Sequence, residues 1–108
     1  MAITVLKGRK LGDQVAGGSE VRGSITGPGT YAAGGFAADI ETDLGVADAD
    51  IDYVIVTTSG HATKHYTAEW ISSTDKIKAY EGGAEVTATT NLSSVDFHIT
   101  VKVKNTTA

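Results

Sequence analysis

The 108-residue sequence contains no cysteine, which excludes a disulfide framework, a thiolate metal site and a cysteine nucleophile. No apolar run approaches the roughly 20 residues that a membrane span requires. The N-terminal segment, MAITVLKGRK, lacks the basic-then-apolar order of a signal peptide. We therefore expect a soluble chain that folds from residue 2 onward and is stabilised by packing and backbone pairing.

Positive charge is also scarce, because Lys and Arg total 9 against 13 Asp and Glu, for a formal net charge of −4. This balance argues against sequence-independent binding of nucleic acid. The densest basic cluster is KGRK, whose charges are carried by Lys7, Arg9 and Lys10. Such a cluster is typical of a solvated strand end, and a contact with an acidic partner is the alternative.

Proline occurs once and aromatic residues make up 6%, whereas the chain has 13 glycines, 15 threonines and many Val and Ile residues. This composition favours β-structure. Apolar and polar residues alternate most clearly over 95–103, which predicts a strand with one buried face. Weaker patterns predict strands over roughly 2–7 and 19–26. DYVIVTTS, at 52–59, is apolar on both sides and predicts a central strand.

The second half of the chain predicts a hairpin near 64–80, a turn at 81–83 and a short edge strand in AEVTAT. About seven short strands predict one mostly-β domain over 1–108, an antiparallel β-sandwich or small barrel with at most one short helix. Residues 1–18 are expected to form an extended arm and a mobile loop. GFAADIETDLG has apolar residues four apart. It predicts either a two-turn helix ending at Gly45 or an extended loop that contains a strand.

The most glycine-rich stretch, GPGTYAAGGF at 27–36, fits the loose pattern G-x-G-x-x-[GA] of phosphate-binding loops. A dinucleotide site also needs alternating β/α units, for which the chain lacks room, and Pro28 lies inside the loop. We therefore interpret Gly27-Pro28-Gly29 as a turn, and Gly34-Gly35 as a bulge or a close backbone approach. No nucleotide is expected to bind.

Acidic and histidine residues do not form a recognisable metal motif. DADID, at 48–52, opens like a calcium loop but lacks the glycine and the glutamate that such a loop needs further on. His61 and His65 would lie roughly 13 Å apart on a shared strand, which is too far for one ion. His98 could join them only by folding of the chain. We expect no metal and no cofactor.

The sequence contains residue types that are used in catalysis, but no motif places them together. Serine, histidine and aspartate occur without the G-x-S-x-G context of a nucleophile elbow. Glu69, Glu81 and Glu85 could pair as acid and base, as most carboxylates in a small protein could. The sequence therefore predicts a protein that is not an enzyme.

Most of the aromatic residues, Tyr53, Tyr66, Trp70 and Tyr80, concentrate around the predicted hairpin. They predict a core and cross-strand aromatic cluster, which stabilises hairpins directly. The alternative is a stacking platform for a sugar or a base. In that case Tyr66 and Trp70 would serve a small carbohydrate-binding module.

The order of short segments from residue 30 to about residue 103 resembles a group of small tailed-bacteriophage virion proteins. In that group a Tyr-x-x-Gly-Gly stretch, here TYAAGGF, precedes a Leu-Gly turn, here DLGV, and an ID-x-V strand, here IDYVIV. A hairpin that carries tyrosine or tryptophan, HYTAEW, then ends in DKIKAY, and GAEVTATTNLSSV precedes the last strand. The first 29 residues match this group less well.

This resemblance implies a capsid decoration or cement protein, a β-sandwich that lies on the outer head shell over contacts between major capsid subunits. It would be made in the bacterial cytoplasm and reside on the virion. The expected partners are the major capsid protein and further copies of the chain, as a homotrimer or homodimer, with no nucleic acid and no membrane. A tail or neck protein is the alternative within the virion. Candidate partner contacts are Lys7, Arg9, Lys10, Tyr31, Gly34, Gly35, Tyr66 and Trp70.

Overall fold

The computed structural model describes residues 3–5, 20–60 and 64–104, so most of the predicted arm and loop at 1–18 lies outside the described residues. Within these ranges the strands form two antiparallel sheets. The predicted mostly-β, sandwich-like class with one short helix is confirmed, and the described strands do not close into a barrel. In chain order the elements are β1 (Thr4–Val5), β2 (Glu20–Thr26), β3 (Phe36–Ala37), α1 (Ile40–Leu44), β4 (Ile51–Ser59), β5 (Tyr66–Ile71), β6 (Lys76–Glu81), β7 (Ala84–Glu85) and β8 (Asp96–Val103).

The first sheet has the strand order β1-β2-β8-β4, and β8 pairs along its length with both neighbours. The alternation that predicted this last strand is confirmed, because Phe97, Ile99 and Val101 are at most 1% exposed. His98 and Thr100, between them, point to the opposite and partly exposed face. A strand with one buried face therefore forms the centre of the sheet.

The prediction that DYVIVTTS forms a central strand is wrong, because β4 lies at the edge of its sheet. Only Val56 of this strand is buried, while Tyr53 and Ile55 are each 48% exposed. The apolar residues on the outward face of β4 made the segment resemble a strand buried on both sides. The burial pattern of β4 shows that Val54, Val56 and Thr58 face the interior, while Tyr53, Ile55 and Thr57 are exposed.

The second sheet has the strand order β3-β6-β5, with β7 pairing to β6. The predicted hairpin is confirmed as β5 and β6, in which Trp70 lies opposite Ile77. Asp75 closes the turn between them with a φ of 53°. The predicted short edge strand is confirmed as β7, which is two residues long.

The segment GFAADIETDLG contains both of the structures that its pattern allowed. Its first part is β3, which pairs with β6, and its last part is α1. The Asp39 side chain caps the helix by accepting a hydrogen bond from Thr42 N at 3.2 Å, and Gly45 ends it with a φ of 71°. The predicted helix end is confirmed. The first turn of the predicted helix does not form, because Phe36 and Ala37 lie in β3 and α1 begins only at Ile40. No helix within the described ranges is long and apolar enough to cross a membrane.

The core lies between the two sheets. Phe36 of β3 meets Phe97 of β8 edge to face, with ring centroids 4.9 Å apart and planes inclined by 68°. Ile77 and Ala79 of β6 are fully buried against the same core. Leu92, in the loop before β8, is also 0% exposed. These contacts join the two sheets into one packed unit.

Candidate binding surface

The glycine-rich stretch makes two close backbone contacts. A Cβ atom added at Gly27 would lie 2.3 Å from the carbonyl oxygen of Leu92, and one at Gly35 would lie 2.5 Å from that of Ile77. Gly35 also has a φ of +112°, which L side chains rarely adopt. The predicted close backbone approach is therefore confirmed at Gly35, whereas a Cβ atom at Gly34 would meet no atom within 4 Å. β3 begins at Phe36, the last residue of the stretch, and no helix begins inside it.

Tyr31, in the middle of this stretch, has a structural role. Its side chain is 1% exposed, its hydroxyl donates to Glu85 Oε2 at 2.8 Å, and the backbone N–H of Ala79 donates to that hydroxyl at 3.1 Å. The backbone N–H of Gly34 donates to the same Glu85 oxygen at 2.7 Å. Burial of the phenol, reinforced by the Glu85 carboxylate, raises the pKa of Tyr31 to about 12. Tyr31 thus fastens the glycine stretch to β6 and β7 and is not available at the surface.

Glu85 is expected to make stability depend on pH. The Gly34 N–H, followed by the Tyr31 hydroxyl, lowers the pKa of Glu85 below its usual value of 4.5. A carboxyl whose pKa is lowered stabilises the folded state fully above its usual pKa, and this contribution is lost as pH falls through the folded value. We expect Glu85→Gln to be less stable than the parent protein at neutral pH in urea unfolding. The difference should shrink as the pH falls below 4.5.

A matched control for this prediction is Glu81→Gln. The Glu81 carboxylate lies 3.5 Å from the Lys64 ammonium in a surface pair. Such pairs contribute little, so this variant should keep nearly the parent stability at neutral pH. A stability difference between Glu85→Gln and the parent that stays constant from neutral to acidic pH would contradict the assignment.

The other candidate contacts do not converge on one surface. Gly34 is exposed, whereas Gly35 is buried against β6. Tyr66 is only 7% exposed. Trp70 is half-buried, and its indole N–H donates to the carbonyl oxygen of Ala38 at 3.1 Å. Outside the described residues lie Lys7, Arg9 and Lys10.

The predicted aromatic cluster around the hairpin does not form. Tyr66 and Trp70 lie four residues apart on β5, which separates them by roughly 13 Å. Tyr53 is exposed on β4, and the Tyr80 hydroxyl donates to Glu69 instead of meeting another ring. Tyr66 is buried, so it does not present an exposed ring beside Trp70 on which a sugar or a base could stack. Tyr53 lies on β4 of the first sheet, whereas the other three side chains lie on β5 and β6 of the second sheet. Only Tyr53 and Trp70 come near each other, at the groove described below.

One serine and one histidine come close on the outward face of the first sheet. The Ser59 Oγ and His98 Nε2 atoms lie 2.7 Å apart. The neighbouring carboxylate, Asp96, accepts instead from the Thr26 hydroxyl at 3.5 Å. This arrangement is a surface hydrogen bond without the orienting carboxylate of a triad. Across the described chain, no group of three or more His, Asp or Glu side chains is arranged to hold a metal ion.

The most exposed large apolar side chains of the described chain are Tyr53 and Ile55, on the outward face of β4. From Tyr53 to Ser59 this strand carries no charged residue. We call the exposed side chains of Tyr53, Ile55 and Thr57 the β4 face. Sequence reasoning missed this surface because it assigned both sides of the strand to the core. The available signal was Thr57, a polar residue in phase with Tyr53 and Ile55.

Two grooves lie between β4 and β5, one at each end of the two strands. A groove of about 330 Å³ opens between the start of β4 and the end of β5, and its walls include Asp52, Tyr53 and Trp70. A second groove, of about 200 Å³, lies at the other end of the strands, beside Tyr66. At that end the Thr58 hydroxyl donates to the Tyr66 carbonyl oxygen at 2.6 Å and bridges the two strands.

Comparison with known proteins identifies no relative of this chain. No protein-family model matches it, and no curated protein and no solved structure gives a significant match. The resemblance to small phage virion proteins therefore stays a prediction.

Proposed function

We propose that this protein is a non-catalytic virion component that binds the outside of a tailed-phage capsid and stabilises contacts between major capsid subunits. The order of segments from TYAAGGF to the last strand is the basis for the capsid as its target. The mostly-β, sandwich-like fold is compatible with that role. The proposed partners are the major capsid protein and further copies of the chain, as a dimer or trimer.

The observation that carries the proposal of a binding role is the β4 face. Tyr53 and Ile55 each leave 48% of their surface in water although both are large and apolar. Exposed apolar side chains that lie together, free of charge, are typical of surfaces that bind another protein. Aromatic residues are enriched and charged residues depleted at the centre of such interfaces. The β4 face presents an aromatic ring, and none of its three side chains is charged. The nearest charges are beside Tyr53, on Asp52 of the same strand and Lys102 of β8.

The chemistry of the described residues also supports a binding role over a catalytic one. The Ser59–His98 pair lies on an open sheet face and lacks an orienting carboxylate. The hydrogen bonds of Glu85 connect segments of the fold to one another. A protein that only binds needs stability and a complementary surface, and these are the features that its side chains provide.

Stabilisation of the shell would follow from mass action. A protein that binds the assembled shell but not free subunits shifts the equilibrium toward the shell by RT ln(1 + [L]/Kd), about 2.7 kcal/mol at a concentration of 100 Kd. Because a shell repeats the same site many times, a modest interface at each site adds up. Capsids of the phage that encodes this protein, prepared without it, should therefore open at a higher temperature when the protein is added.

A dye that fluoresces on reaching the packaged DNA would measure this opening temperature. The temperature should rise with protein concentration and then level off. An opening temperature that does not change at any concentration would reject stabilisation as the function. Light scattering of the protein alone should show a monomer, dimer or trimer, whereas large rings would indicate a tail or neck protein.

Ile55→Asp is expected to weaken capsid binding by at least about tenfold, because it removes an apolar contact and buries an unpaired charge at the interface. Thr67→Asp is the matched control, since Thr67 is also exposed on a strand but belongs to the other sheet. The control should keep capsid binding within about twofold of the parent protein. Equal losses for the two variants would exclude the β4 face as the binding surface.

A further inference from the structure

The groove of about 330 Å³ between β4 and β5 has an unusual combination of side chains. Tyr53 and Trp70 provide aromatic surface, and Asp48 and Asp52 provide carboxylates, while Ser72 adds a hydroxyl. Its volume is within the range of sites that hold a small ligand or a single large side chain. The groove is also open along one side, so a side chain presented by another molecule can enter it.

A β-bulge shapes one wall of this groove. Ile51 pairs with Val103 and Tyr53 pairs with Lys102, so Asp52 is an extra residue on β4. Consecutive side chains of a regular strand point to opposite faces, but at this bulge Asp52 and Tyr53 are both exposed. Bulges redirect side chains and are over-represented beside functional sites. Here the bulge places a carboxylate next to an aromatic ring at the groove.

The opposite wall is held in a fixed orientation. The indole N–H of Trp70 donates to the carbonyl oxygen of Ala38 at 3.1 Å, which fixes the plane of the ring. Trp70 remains half-buried and lines the groove together with Tyr53. The faces of aromatic rings attract cations, and tryptophan does so most strongly.

The carboxylates of the groove have no cationic partner within the described part of the chain. Neither Asp48 nor Asp52 belongs to an ion pair there. Lys102 lies opposite Tyr53 in the sheet, but its ammonium is directed to Glu20, 3.9 Å away on the far side of β8.

Negative charge also accumulates beside the groove. Partial desolvation, followed by repulsion from Asp48 and two further aspartates, raises the pKa of Glu41. This end of the molecule therefore has an excess of negative charge that a positively charged ligand would neutralise.

We propose that this groove binds a basic side chain, best an arginine, presented by a partner protein. A guanidinium group is planar, so it can stack on Trp70 or Tyr53 while donating hydrogen bonds to the Asp48 and Asp52 carboxylates. A lysine ammonium can make the same charge contacts but stacks less well, and is expected to bind more weakly. The inference depends only on the groove and holds whether or not the partner is a capsid.

The test uses Trp70 as the reporter, because it is the only tryptophan of the chain. The full-length protein is titrated at low salt with N-acetyl-arginine amide, and with N-acetyl-citrulline amide as its uncharged counterpart. We expect a saturable change in Trp70 fluorescence with the arginine compound, weakened by added salt, and no response to the citrulline compound.

Variants place the response in the groove. Asp52→Asn and Tyr53→Ala should each weaken binding of the arginine compound by about two- to fivefold, as expected for one exposed ionic or cation–π contact. Ile55→Ala is the matched control, because Ile55 has the same 48% exposure as Tyr53 on the same strand, with no side chain in the groove. Circular dichroism of each variant shows whether the fold is retained.

Three results would overturn the proposal. The first is equal binding of the arginine and citrulline compounds, which would show that charge is not recognised. The second is saturable binding of a neutral oligosaccharide that Asp52→Asn leaves unchanged, which would assign the groove to a glycan. The third is the absence of any Trp70 response to the arginine compound. None of these results depends on capsid binding, so each is distinguishable from a failure of the proposed function.

Discussion

Replacing Gly35 with alanine is expected to lower the free energy of unfolding by about 2–6 kcal/mol. Two costs combine, because the backbone φ of +112° is strained for an L residue by about 1–3 kcal/mol, and overpacking adds about 1–3 kcal/mol. The new Cβ would lie 2.5 Å from the carbonyl oxygen of Ile77. That oxygen cannot move freely, since Ile77 is paired with both Phe36 and Trp70 in the second sheet.

Gly34→Ala separates these two costs. Gly34 also has a positive φ, +94°, but a Cβ atom there would meet no atom within 4 Å. Gly34→Ala should therefore lower the free energy of unfolding by the conformational cost alone, about 1–2 kcal/mol. Urea unfolding of both variants measures the difference, provided that the dependence on urea concentration is unchanged. Equal losses of stability would show that the close approach of Gly35 to β6 costs nothing.

Phe97→Ala is expected to cost about 3–5 kcal/mol, the range for truncating a large buried aromatic side chain. Phe97 is 0% exposed on the central strand of the first sheet, and its ring meets Phe36 of the second sheet. The substitution therefore opens a cavity where the two sheets join. Because a loss of this size could prevent folding, Phe97→Leu provides a milder variant with an expected cost of about 1–2 kcal/mol.

The control for the core prediction is Ile55→Ala on the adjacent strand. Ile55 is 48% exposed, so its truncation should change the free energy of unfolding by less than about 1 kcal/mol. Urea unfolding of the three variants gives the comparison. A cost for Phe97→Ala as small as that for Ile55→Ala would contradict the position of Phe97 between the sheets.

Much of the fold follows from local patterns in the sequence. The alternation through Phe97, Ile99 and Val101 identified a strand with one buried face, and that strand is β8. The hairpin and the helix end at Gly45 were also predictable, because turns and caps have specific residue requirements. These features depend on residues close together in the chain.

What the sequence did not predict depends on contacts between distant segments. The position of β4 at a sheet edge is decided by which strands pair, and its apolar outward face disguised the result. The role of Tyr31 depends on Glu85 and Ala79, which follow it by about fifty residues and reach it only in the folded chain. Tyr31 was a candidate partner contact because of the resemblance to phage virion proteins, whereas tertiary hydrogen bonds hold it in the core.

The groove between β4 and β5 was missed for the same reason. Tyr53 and Trp70 belong to different sheets, and a bulge at Asp52 sets the direction of the neighbouring side chains. A run of aspartates followed by an apolar strand does not reveal a bulge. The juxtaposition of an aromatic ring and unpaired carboxylates therefore becomes visible only in three dimensions.

The central claim is that this protein binds an assembled capsid, and co-sedimentation tests it most directly. Capsids of the parent phage that lack the protein are mixed with increasing amounts of purified protein and sedimented, and the bound protein is counted per major capsid subunit. We predict saturation at a fixed ratio to the capsid subunit, with the protein remaining in the supernatant when only dissociated subunits are present. Protein that stays in the supernatant at every concentration, or that sediments without saturating, would contradict the claim.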